Sequence, residues 1–492
     1  MAKRRQLLLS EVVIGCAVVL AAVAAGCGKS EPQKSGPDPR EPPKTSASAS
    51  AAASASASAS ASAATAPPPP RDERFTPAGM LAEAARYIDD AAFRRASLES
   101  SLVNHKNTYS RQRLDHYGLG PRGWDLLPEW NPISVPVTTE VVADIRAHRP
   151  LKLDEKTPPL WDGKRPTTIE GWVTLGREVF FGYPLRSEVY MKWALEHPEF
   201  GEKIGIKPGK DGVYPGARLF ADVDGNTTIG ITCAVCHTTV EASGRVVVGE
   251  ARRVFDYGAL RLAYHDATKI PVDKELARRM KTWGPGRADV TEDDDEDPVA
   301  IPDLWGLRHQ TFLTQAGTIK HEGPTALALR QETQLLHSNH QKIRPPRTLA
   351  YALAMFLYSL EAPPHEEPKP SAEKATRGHA LFEKHCEGCH SNAAYGGPSV
   401  AADRVGTDLS FANGGARGTG RYRPAALLRV DRAAPYFHQG AVPTLEDVLS
   451  PERLQPTYTR GAVGKGAVIG HEFGTRLPAP DREALVAFLR TL

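Results

Sequence analysis

Excess charge of one sign is missing from this 492-residue chain: 61 Lys and Arg stand against 58 Asp and Glu, a net charge of +3. Both signs are mixed along its length, so composition leaves no electrostatic footprint for nucleic acid. The one strong block, Glu292–Asp297, lacks the spaced oxygen ligands of a cation loop and reads as a solvated segment. Alternating β-branched runs are also scarce, Arg245–Val248 apart, and the expectation is an all-α fold. Cysteine is scarcer still. There are six, and each has an assignment that leaves none for a disulfide, although an exported chain could form one.

Two of the six lie near the N-terminus. Residues 1–26 run from the basic cluster Lys3-Arg4-Arg5 through an apolar stretch, Val12 to Val23, into Ala24-Ala25-Gly26-Cys27. That order is an export signal. A retained membrane span is the competing reading, but the stretch is short, carries Glu11 at its head and ends in small residues. Cys16 leaves with the signal. Cys27 resembles the lipidated cysteine of bacterial lipoprotein precursors, with Ala24 where Leu is more usual; an ordinary cleaved signal is the alternative. Acylation there would tether a periplasmic or cell-envelope protein to a membrane without spanning it. Residues 27–74 alternate Ser with Ala between Pro-rich ends, bury too little to offset their ordering entropy, and read as a disordered linker.

The other four cysteines form two CxxCH pentapeptides, Cys233-Ala234-Val235-Cys236-His237 and Cys386-Glu387-Gly388-Cys389-His390. This is the c-type haem attachment sequence. Two thiols one short turn apart add across the vinyl groups of adjacent pyrroles, and the histidine that follows is delivered beneath the iron. A redox dithiol or half a zinc site would use the same CxxC spacing. Two copies with His adjacent, and no other Cys to complete a zinc knuckle, favour two covalently bound haems c.

The surroundings of the two motifs repeat. Gly176-Arg177-Glu178-Val179-Phe180 precedes the first and Gly378-His379-Ala380-Leu381-Phe382 the second. Ala352-Leu353-Ala354-Met355-Phe356-Leu357 follows the first, and Ala484-Leu485-Val486-Ala487-Phe488-Leu489 the second. Leu485, Phe488, Leu489 and Leu492 share one helical face behind Pro480-Asp481. First and last helices of each unit are expected to cross at Gly176 and Gly378, with the Phe residues filling the crossing. Two cytochrome c-like haem domains follow: residues 75–364, enlarged by insertions that include some fifty residues between Phe180 and Cys233, and residues 371–492. A Pro/Glu/Lys-rich joint, Pro363–Pro370, separates them.

Leu175–Phe181, the two CxxCH motifs, Ala434-Pro435-Tyr436-Phe437-His438-Gln439-Gly440 and Thr444–Val448 resemble the bacterial di-haem cytochrome c peroxidases. Gly470-His471-Glu472-Phe473-Gly474-Thr475 is similar to the rubber-oxygenase branch of that superfamily, and the resemblance spans roughly Thr168 to the C-terminus. It implies a division of labour: one haem with a displaceable sixth position where peroxide or dioxygen binds, the other six-coordinate and fed by a small redox protein. It also implies a calcium held by the carbonyls of Ala433 and Pro435. Three activities stay open, namely peroxide reduction, electron transfer without a substrate, and dioxygen chemistry on an apolar substrate such as a polyisoprene.

Ligands follow from another scarcity. The five Met residues are 1, 80, 191, 280 and 355, so the C-terminal domain, residues 371–492, has none to offer as a sixth ligand. His237 and His390 come with the motifs. His471 is the favoured partner for the second haem on the rubber-oxygenase resemblance, with His438 the alternative and a propionate contact its expected role. A His in place of Met lowers the reduction potential. For the first haem, His265, His309, His321, His337 and His340 are candidates on an equal footing with an open site. Glu322, Gln331 and Glu332 are acid–base candidates, against ordinary helix-surface polarity. Trp283 and Trp305 are read as conduits or core, and Arg287 as a propionate partner or a solvent-facing turn.

Overall fold

The computed structural model describes residues 70–289, 298–366 and 370–492. The expected signal, Cys27, nearly all of the linker and Glu292–Asp297 lie outside the described residues. One boundary needs correction. The linker is expected to reach residue 74, yet Arg71–Arg74 forms a helix, α1, whose Arg71 donates to the carbonyls of His321 (3.1 Å) and Gln310 (3.1 Å) while Arg74 pairs with Glu83. The guanidinium groups anchor a stretch that has little apolar surface of its own.

The following segment matches no motif in the sequence, yet it builds well-capped helices. Thr76, Asp90 and Asn107 each accept a backbone N–H at the start of α2 (Pro77–Asp89), α3 (Ala91–Ser101) and α4 (Thr108–His116). A buried ion network fixes them to the rest: Asp125 lies 3.8 Å from Arg94 and 2.9 Å from Arg347. Strand β1 (Ser134–Thr138) and helix α5 (Thr139–Arg146) complete this region.

Helix α6 (Ile169–Gly182), capped by Thr168, is the first helix of the repeat. Strand β2 (Arg186–Ser187), helices α7 (Val189–Glu196) and α8 (Pro198–Gly201), and strands β3 (Val213–Ala221) and β4 (Thr227–Ile231) follow it. The four strands form one antiparallel sheet in the order β1-β3-β4-β2. The all-α expectation is therefore corrected: the segment between Phe180 and the first CxxCH contributes three strands of a mixed fold. β3 is covered along nearly its whole length, so its apolar residues run together and give no alternation to read.

A two-stranded ribbon, β5 (Thr238–Val240) with β6 (Val246–Val248), leads to α9 (Tyr257–Thr268) and α10 (Lys274–Trp283). Next come α11 (Pro324–Ser338) and α12 (Arg347–Tyr358), and α12 packs along α6. A Cβ on Gly176 would collide with the Ala352 carbonyl and the Phe356 Cβ, so only glycine permits this crossing. The second half repeats it between α13 (Ala372–His385) and the C-terminal helix, with Gly378 against Ala484 O and Phe488. Between them lie three single turns, α14 (Ala402–Val405), α15 (Ser410–Asn413) and α16 (Leu445–Val448), and the last helix is α17 (Ala479–Leu489). Both crossings match the expectation in residue and partner. Arg429 joins the halves by donating to the carbonyls of Pro363 (2.8 Å) and Pro364 (2.6 Å), and Thr311 donates to Gly397 O (3.0 Å). No helix among the described residues is long and apolar enough to cross a membrane.

Candidate haem sites

Strand β4 delivers the first motif. Thr232 caps the tight turn Cys233–Val235 by accepting from Ala234 N, and His237 N bonds back to Cys233 O (3.3 Å). Nδ1 of His237 faces Pro302 O at 3.1 Å, so the ring donates there and presents Nε2 as a ligand. Asp303, one residue on, is held by Ala251 N (2.8 Å) and Arg253 (2.6 Å), and Trp305 Nε1 donates to Val248 O (3.0 Å). Buried Arg252 donates to the carbonyls of Thr238, Gly205 and Pro215, locking ribbon to sheet.

Burial pushes the thiols of Cys233 and Cys236 up to about 12 and about 11, and holds the His237 imidazole down to about 4. Yet all three side chains keep accessible surface. Raised thiol pKa values are the reverse of a redox dithiol, which works through a depressed one. Among the described residues no cluster of three or more His, Cys, Asp or Glu could hold a metal ion, so the zinc reading has no ligand set. The donor set fits haem c.

The second motif sits at the end of α13, where Cys386 N bonds Phe382 O (2.8 Å) and His390 N bonds Cys386 O (3.0 Å). Nδ1 of His390 faces Tyr395 O at 2.6 Å, again presenting Nε2. The Cys386 thiol rises to about 11 through burial.

His471 approaches His390 from another segment, near enough for the two imidazoles to interact electrostatically. It has φ +47°, and Gly470 before it has φ +84°, where a Cβ would also collide with the Thr407 backbone. Fully buried Arg453 donates to the carbonyls of Val448 (3.0 Å), Val468 (2.6 Å) and His471 (2.7 Å), fastening the loop. Burial, then the neighbouring His390 and Arg453, hold the His471 imidazole down to about 4, and its Nδ1 is buried with no partner outside its own residue. The neutral ring is in the state a ligand requires. Arg453 has no sequence signal.

The other candidates fall elsewhere. His438 stacks on Tyr422 at 4.5 Å, with Nε2 3.3 Å from its hydroxyl. Both ring nitrogens of His321 are engaged, by Gln310 O (2.7 Å) and Tyr358 OH (2.6 Å). His265 faces Ile270 O and Tyr190 OH, His337 packs edge-on to Trp124, and His309 and His340 are exposed. Glu322 is exposed. Gln331 and Glu332 are buried, which corrects the helix-surface alternative for both. Trp283 packs on Tyr257, and Arg287 stands half-buried beside Gly440, its Nε without an acceptor. The Ala434–Pro435 peptide, between the carbonyls assigned to calcium, is cis.

One short segment touches both motifs. Pro302 O meets His237, Gly306 packs so tightly on Ala394 and Leu428 that a Cβ would not fit, and His309 O accepts from Asn392 (2.8 Å). Ala394 is followed by Tyr395, whose carbonyl meets His390.

A model of a RoxA-like, cytochrome c-like family matches residues 422–459. No curated protein matches the chain. Among solved structures, a MauG-like protein associated with microbial copper homeostasis aligns at 17% identity over 44% of this chain and 81% of its own, with a TM-score of 0.25. Hydrazine synthase of Kuenenia stuttgartiensis aligns at 13% identity over 70% of this chain and 98% of its own, with a TM-score of 0.32. The RoxA-like match, together with the two CxxCH sites, supports a haem-bearing cytochrome.

Proposed function

We propose that this chain is a di-haem c-type cytochrome, an electron-transferring oxidoreductase that reduces peroxide at the first haem with electrons relayed through the second. The observation that carries the reading is an asymmetry of imidazoles. His471 lies near enough to His390 for the two imidazoles to interact, and its Nδ1 is buried without a hydrogen-bond partner in another residue. The histidines that could serve His237 are turned elsewhere: His321 is engaged on both nitrogens, His265 and His337 pack on other groups, and His309 and His340 are exposed. A saturated iron relays electrons, and an open one binds an oxidant.

Haem at each motif would supply the electron-accepting and peroxide-reducing chemistry. The chain's own work is ligation and alignment. Pro302 and Tyr395 fix the ring orientation of His237 and His390 through their carbonyls, and the Asp303–Arg253 pair holds the Pro302 carbonyl in place. The segment from Pro302 to His309 provides the short connection between the sites. Arg453 holds the His471 backbone, which would keep its imidazole available to ligate the second haem. The donor is a small redox protein, and the tether is a lipidated Cys27 on an exported chain.

Spectra of the oxidised protein with and without cyanide or peroxide test this. One high-spin iron that responds is expected; two low-spin irons indifferent to both, before and after half-reduction, would leave electron transfer alone. The similarity of Gly470–Thr475 to the rubber-oxygenase branch favours a second reading, dioxygen chemistry on an apolar substrate at the same open site. Oxygen uptake with a polyisoprene, set against peroxide turnover with a reduced cytochrome, separates the two.

A further inference from the structure

Glu332, on α11, is a carboxylate only 1% exposed with two phenols directed at one oxygen. Tyr87 OH and Tyr117 OH each donate to its Oε2 at 2.5 Å, and Arg347 Nε lies 3.3 Å from its Oε1. Both tyrosines are fully buried. Burial first, then the Glu332 charge, holds both phenols well above their ordinary value, so each keeps its proton in the resting protein. Arg347 also pairs with Asp125, so its charge stays compensated whether or not Glu332 carries a proton. A dry carboxylate with two short O–H donors is a ready proton acceptor for either phenol.

Aromatic rings lead from this cluster to the helix that packs on the first haem motif. Tyr87 is 5.7 Å from Tyr351, and Tyr351 is 5.3 Å from Trp172. Trp172 lies on α6, which packs on the Cys233–Val235 turn. The rings differ in what can take their proton. Trp172 Nε1 is buried with no partner, and Tyr351 OH donates to a backbone carbonyl, Met80 O, too weak a base to keep a proton. Of these four rings, Tyr87 and Tyr117 are the ones whose hydroxyls face a carboxylate. An electron vacancy created at the motif would cross Trp172 and Tyr351 and settle where its proton can leave.

We propose that the Tyr87–Glu332–Tyr117 cluster is a redox site that receives an oxidising equivalent from the first haem. The inference rests on the peroxide reading, since the oxidant is haem iron oxidised by peroxide. One electron passes from Tyr87 or Tyr117 through Tyr351 and Trp172 to that iron, which is reduced by one equivalent. The phenolic O–H breaks, its proton moves to Glu332 Oε2, and a neutral phenoxyl remains. A returning electron and that proton restore the phenol.

Freeze-quench electron paramagnetic resonance of the holoprotein after peroxide, with ring-deuterated tyrosine to assign the signal, is the test. A tyrosyl signal is expected. Tyr87→Phe and Tyr117→Phe each leave part of it, the double variant removes it, and Glu332→Gln lowers its yield by about tenfold or more. Trp172→Phe delays its appearance without shifting either Soret band. A signal unchanged in the double variant, or no tyrosyl signal although the Soret band shows the haem oxidised, overturns the proposal. A Soret band indifferent to peroxide would instead sink the peroxidase reading. Vacancies then made in the frozen holoprotein by ionising radiation and released by annealing still probe the cluster: they collect as the same signal, lost in the double variant, or the cluster is no such site.

Discussion

The two halves of this chain use one helix crossing to very different ends. Around Cys386 the crossing of α13 and α17 is nearly the whole scaffold, and a single loop fastened by Arg453 brings His471 to His390. Around Cys233 the crossing of α6 and α12 is surrounded by capped helices, a sheet and a ribbon, and the candidate histidines among the described residues are engaged elsewhere or exposed. The added mass leaves the proximal geometry alone, since each ring donates to one backbone carbonyl. A conserved-looking cradle with a variable surround places the difference in function on the far side of each haem.

His471→Ala removes the difference most completely. The second iron is expected to become high-spin and to bind cyanide, and its midpoint potential to change while the first haem's spectrum does not; an unaltered second-haem spectrum would assign the ligand elsewhere. Gly176→Leu and Gly378→Leu ask whether the crossings are equivalent. Each forces a side chain into a backbone carbonyl and should destabilise by about 3 kcal/mol or more, read by chemical denaturation. A mild effect at one site only would show that its surround relieves the clash.

Acid probes the first half next. Burial holds His321, in the first half, down to about 3, well below its unfolded value near 6.5. Between those values the unfolded chain binds a proton that the folded chain does not. Its contribution is therefore complete above about pH 6.5 and falls by about 1.4 kcal/mol per pH unit as pH drops toward 3. His321→Phe should flatten that slope in pH-dependent denaturation; an unchanged slope would place the acid sensitivity on other groups. Smallest is Lys374→Ala, which removes an exposed pair with Glu483 and should cost about 0.5 kcal/mol or less, more at low salt than at high.

Much of the cradle is legible in residue order. Gly176, Gly378 and the paired Phe residues can be read as crossings because a helix repeats its contacts at fixed offsets, so periodicity survives without coordinates. The sheet is not legible, because β3 is covered on both sides and shows no alternation. Arg453, Arg252 and the Tyr87 and Tyr117 hydroxyls are not legible either, since the first two act on backbone carbonyls, which leave no mark in residue identity, and the hydroxyls act on a carboxylate more than two hundred residues away.

Sequence alone determined that two thiol pairs and their histidines stand one turn apart, because that spacing is local and covalent. It also determined that residues 371–492 offer no methionine. Only the tertiary structure decided that His471 lies near His390, that His321 is engaged on both nitrogens, and that Glu332 lies beneath two phenols. Those facts depend on packing between segments as much as 245 residues apart, where no local spacing encodes the contact.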